Sequence, residues 1–100
     1  MTMEFKIPEH FSLGGVEHTV ETLESLDDND FGLYYPIRKR IEVAKTSRRC
    51  ELPLSFQRQT FLHELVHAIL NTMRKDDLYD DESFVNTFAA FLNEAINTME

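Results

Sequence analysis

The chain has 100 residues, 42% of them hydrophobic and 28% charged, which fits one globular domain and argues against a disordered or low-complexity chain. Its formal net charge of -8 excludes the broadly basic surface that neutralises nucleic-acid phosphates. No apolar run approaches the roughly 20 residues of a membrane span, Met1–Phe5 lack the basic-then-apolar pattern of a signal peptide, and Cys50 is the only cysteine, so the sequence reads as that of a cytoplasmic protein without internal disulfides.

Glu4–Ile7 is a short extended segment ended by Pro8. Phe11-Ser12-Leu13 then runs into Gly14-Gly15, a pair suited to a tight hairpin turn. Val16, His18 and Val20 alternate with Glu17, Thr19 and Glu21, the period of a strand with distinct faces. Ser25–Asp30 is an acidic loop. Phe31–Tyr35, stopped by Pro36, and Arg40–Ala44 are two more strands, able to pair with each other as a hairpin. The neighbouring Arg38, Lys39, Arg40, Arg48 and Arg49 read as the solvated face of a strand and a turn.

Pro53 can open a helix, because its missing amide proton costs nothing in a first turn. The helix is predicted over about 53–74, ending at Arg74-Lys75 with both cations at the negative end of its dipole. Around His63-Glu64-Leu65-Val66-His67 it is apolar on nearly every side, which places it centrally, between the sheet and a second helix. That last helix is predicted over about 81–98, capped by Asp80 or Asp81. Its Phe84, Val85, Phe88, Phe91, Leu92, Ala95 and Ile96 follow helical spacing and are expected as core packing. Strands first and helices second make the fold class α+β.

His63 and His67 differ by four positions, about 40° around a helix and roughly 6 Å along it. Both imidazoles can then reach one ion at the usual zinc–nitrogen distance of about 2.0 to 2.1 Å. Two histidines in so apolar a helix would be costly to bury without a partner. A catalytic zinc takes three protein ligands and leaves one position for water, so a third donor must come from elsewhere. Glu64 points about 100° away from His63 and can instead take a proton from that water as a general base. The third-ligand candidates are Asp80, Asp81 and Glu82. Glu82 lies on the edge of the apolar stripe, in line with Val85 and Ala89; Asp81 falls nearer the centre of that stripe but is also placed to cap the helix.

His63-Glu64-Leu65-Val66-His67-Ala68-Ile69-Leu70, followed by Glu82-Ser83-Phe84-Val85-Asn86-Thr87-Phe88-Ala89, resembles the short phage and prophage zincins related to the ImmA/IrrE-type metallopeptidases. In that group a glutamate opening the next helix is the third ligand, a role the resemblance gives to Glu82; Val85 stands where the group usually has alanine. Ile7-Pro8, Leu13-Gly14-Gly15, Phe31-Gly32-Leu33-Tyr34 and Ile41-Glu42-Val43 are similar to its strands and turns. The resemblance implies a minimal zincin over residues 1–100, a small twisted sheet packed on an active-site helix and a ligand helix. It implies zinc as cofactor, and hydrolysis of a peptide or protein substrate with Glu64 as general base. In zincins the strand before the motif helix edges the cleft and can pair with an extended peptide, which would fall to Arg40–Ala44.

A donor to the tetrahedral oxyanion is also needed, for which Tyr34, Tyr35, Tyr79 and His18 are available. Asn86 could orient a ligand from behind, and His10 is expected to be exposed. A competing function is a zinc-stabilised zincin-fold binding protein without proteolytic activity. A weaker one, prompted by charge alone, is an acidic mimic of DNA.

Overall fold

In the computed structural model, which describes residues 5–99, Gly14 and Gly15 take φ of 56° and 78°. Two successive positive φ values make the mirror-image turn that matches strand twist. It joins β1 (His10–Leu13) to β2 (Val16–Leu23) with Leu13 opposite Val16. β3 (Gly32–Tyr35) and β4 (Arg40–Ala44) pair antiparallel, the hairpin expected from the sequence. β4 also pairs in parallel with β2, so the sheet order is β1-β2-β4-β3. The fold is α+β, a mixed N-terminal sheet followed by helices.

The two-residue period separates the faces of this sheet. His18, Val20, Tyr34, Ile41 and Val43 are buried. On the other face Arg40 bridges Glu21 and Glu42, and the Tyr35 hydroxyl donates to Glu42 Oε1 at 3.1 Å. Arg48 and Arg49 form the turn between β5 (Thr46–Ser47) and β6 (Cys50–Glu51), while Arg38 lies 5.8 Å from the centre of the Tyr35 ring. The basic residues thus occupy a solvated strand face and turns.

α1 (Leu54–Thr72) packs on β3 and β4 from one side and on α3 (Glu82–Thr98) from the other, burying Phe61, Leu62, Val66, Ala68 and Leu70. The helix stops earlier than expected. Arg74 takes a φ of 59°, its N–H donates to Asn71 O at 3.1 Å, and Lys75 N–H donates to Leu70 O at 2.9 Å. This paired closure caps the helix with backbone groups, so the two cations lie beyond its last turn. The four-residue helix α2 (Asp76–Tyr79) follows, an element the sequence did not announce.

Three further expectations need correction. Arg40–Ala44 does not edge the sheet: both sides of β4 are hydrogen-bonded, to β2 and to β3, so it cannot accept another strand; the edge strands are β1 and β3, of which β3 lies beside β4. The stripe on α3 is only partly core. Val85 and Ala89 are fully buried, but Phe88 and Phe91 are 50% and 67% exposed, because α3 is an outer layer whose contacts are with α1 and α2. In the expected Glu4–Ile7 segment, Glu4 lies outside the described residues and Phe5–Ile7 form no strand, although the Phe5 carbonyl accepts from Arg58 Nε at 2.9 Å. Among the described residues no helix is long and apolar enough to cross a membrane.

Candidate metal centre

His63 and His67 project from consecutive turns of α1 with ring centres 5.0 Å apart. The residue that meets them is set by α3. Asp81 accepts from Phe84 N–H at 3.0 Å as the N-cap, so helical φ/ψ begins at Glu82. Val85, one turn on, is fully buried and Ala89 lies another turn beyond, which turns the Glu82 face of α3 towards α1.

Glu82 Oε1 lies 3.0 Å from His67 Nε2, and Glu82 Oε2 lies 3.1 Å from His63 Nε2. One ligand atom from each of the three residues falls within 4.8 Å of the others. Donors held tetrahedrally at about 2.0 to 2.1 Å from zinc are about 3.3 Å from one another, so the set fits such an ion after small side-chain adjustments. Of the three acids considered at this end, Asp81 is engaged as the cap, Asp80 closes α2, and Glu82 joins the histidines.

His67 is 7% exposed, and burial pushes its pKa below the ordinary histidine value, which favours the neutral imidazole that ligates metal. Its Nδ1 is buried with no well-formed hydrogen bond, although the Tyr79 main chain is close enough to favour the protonated ring. The Tyr79 ring stands edge-on to the His67 ring at 4.8 Å.

Glu64 is 8% exposed, next to His63 but outside the Glu82 fork. Burial, with smaller contributions from the negative charges of Glu82 and Asp30, pushes its pKa up to about 8. A cation at the fork would act in the opposite sense. Glu64 and His63 border an open cleft of about 340 Å³, which Gly32, Thr60 and Asn86 also line. Gly32 makes room for this arrangement: a Cβ there would lie 2.5 Å from Thr60 Cγ2 and 3.3 Å from Glu64 Cγ. Its missing side chain lets β3 lie against the Thr60–Glu64 turn of α1.

The other residues singled out by sequence separate clearly. Tyr34 is in the core, its hydroxyl 3.4 Å from Asn71 Oδ1 and 3.5 Å from Nε2 of His18, which is 1% exposed. Tyr35 is bound to Glu42 on the far face of the sheet. Asn86 lines the cleft, and among the described residues no hydrogen bond joins it to either imidazole. His10 and Cys50 are exposed, His10 beside Glu17 at 3.7 Å. Gly32, Asp30, Phe31 and Phe56 also line the cleft, with no sequence motif marking them as site residues. A glycine inside a strand pattern was the one available signal, since it marks a close approach.

No protein-family model, curated protein or solved structure matches this chain.

Proposed function

We propose that the protein is a zinc-dependent metallopeptidase of minimal zincin type, similar to the ImmA/IrrE-type enzymes, with His63, His67 and Glu82 as metal ligands. The observation that carries this reading is the convergence of two Nε2 atoms on the two oxygens of one carboxylate, beside a cleft that Glu64 borders. Bound zinc would supply Lewis acidity towards the scissile carbonyl and towards water. Glu64 takes the proton of the attacking water and returns it to the leaving amine. Of the four hydroxyl and imidazole donors considered, Tyr79 alone stands beside a ligand, and its hydroxyl is assigned to the developing oxyanion.

The substrate strand is assigned to the free edge of β3. Phe31 O accepts from Ala44 N–H at 2.8 Å, and antiparallel pairing alternates, so Gly32 and Tyr34 turn their backbone N–H and C=O away from β4. An extended peptide pairing there would pass the cleft at Gly32. A lone exposed cysteine suits a reducing, cytoplasmic setting.

The test is cleavage of a peptide library by the zinc-loaded protein and by its Glu64→Gln variant, read by mass spectrometry. Wild type should cleave, and the variant should keep its zinc while losing about 10³-fold in rate. Equal cleavage by both would place the activity elsewhere. Zinc binding with no cleavage by wild type would leave a zinc-stabilised binding protein as the better description.

A further inference from the structure

The cleft beside Glu64 has one wall that the hydrolytic reading does not use. Phe31 and Phe56 are 47% and 37% exposed, with ring centres 4.8 Å apart in an edge-to-face pair. Both line the cavity, so a ring face is available to a guest rather than buried in the core. Asp30, the residue before Phe31, brings a half-buried carboxylate to the same cavity, near enough for its charge to bear on Glu64. Among the described residues no ion pair or hydrogen bond reaches the Asp30 carboxylate. Glu64, more than nine-tenths buried, likewise has no hydrogen-bond partner there, and no lysine or arginine lines the cavity.

Resting on the metallopeptidase reading, we propose that this cleft selects its peptide by a basic side chain, arginine or lysine, whose stem lies on the Phe31–Phe56 pair and whose charge meets Asp30. A long cationic side chain has the required two-part character, an apolar stem and a charged head. Its cation is also attracted to an aromatic face. A leucine would satisfy the rings but leave Asp30 desolvated and unpaired. An acidic side chain would be repelled by Asp30 and by the net charge of -8. Phe31 directly precedes the free β3 edge, so a peptide paired with Gly32 would carry a side chain over this wall.

The experiment measures binding rather than turnover. Zinc-loaded Glu64→Gln protein is titrated calorimetrically with capped alanine-rich heptapeptides carrying arginine, citrulline or leucine at each central position in turn. Citrulline keeps the shape of arginine and removes the charge. At one position arginine should bind about tenfold more tightly than citrulline. Asp30→Asn should abolish that ratio, while Phe31→Ala should weaken both peptides and preserve it. Equal binding of arginine and citrulline, no binding at all, preference for leucine, or a ratio that survives Asp30→Asn would each overturn the proposal. Cleavage of the same peptides by wild type separates the two readings. Arginine-selective binding without hydrolysis counts against the peptidase alone, and hydrolysis without arginine preference counts against the basic pocket alone.

Discussion

Glu82, the first residue of α3, places a carboxylate oxygen 3.0 Å from Nε2 of His67, fifteen residues earlier in the chain. The helix carrying the histidines cannot make that contact alone. The backbone cap of α1, the short α2 and the Asp81 cap together return the chain to it. Replacing Glu82 with Gln should therefore lower zinc affinity by at least about 100-fold, read by competition with a chromophoric chelator. The Glu82 side chain is 64% exposed, so the metal-free fold should be unaffected. Unchanged affinity would remove Glu82 from the ligand set.

Gly32→Ala should destabilise the protein by about 1 to 3 kcal/mol, the usual range for overpacking, because its Cβ would meet Thr60 Cγ2 at 2.5 Å. Thr60→Ser deletes that methyl group, and the double variant should recover much of the loss. Urea denaturation of the four proteins gives the coupling directly. A strictly additive result would mean that the two side chains do not compete for the same space.

How far this site was legible from sequence depends on the range of the signals. Four-residue histidine spacing, the Gly14-Gly15 turn and the Asp81 cap are local, and each is where the residues put it. The insertion of β4 between β2 and β3 has no local signal, because parallel pairing joins segments twenty-one residues apart, as in Thr19 with Arg40. That insertion transferred the free edge from Arg40–Ala44 to β3. Helical period likewise marked Phe88 and Phe91 as apolar without revealing that, among the described residues, α3 is an outer layer. Asp30 and Phe31 join the cleft from a loop and a strand end, where periodicity carries no information.

The Glu64 pKa of about 8, against 4.5 for an unperturbed carboxyl, makes the metal-free protein pH-sensitive. The folded state keeps a proton that the unfolded chain releases above its own pKa. The resulting stabilisation is complete below about pH 4.5 and is lost as pH rises through about 8. Glu64→Gln removes this dependence. In the presence of chelator, the variant should gain on wild type progressively from pH 5 to pH 8, reaching a few kcal/mol. Parallel stability profiles in urea would show that Glu64 is not desolvated as described.

Tyr79→Phe should lower kcat by about 10- to 100-fold with little change in KM or in zinc affinity, as expected for a donor used mainly in the transition state. Steady-state kinetics on any cleaved peptide, with zinc content measured alongside, makes the comparison. If kcat is unaltered, the Tyr79 ring serves only to pack against His67.

The most direct measurement is an anomalous difference map, recorded at the zinc edge, from crystals of the zinc-loaded protein. One peak should lie about 2.0 to 2.2 Å from Nε2 of His63, Nε2 of His67 and a carboxylate oxygen of Glu82. A map with no peak at that point, or with zinc held only by other side chains, would contradict the assignment of this fork as a metal centre.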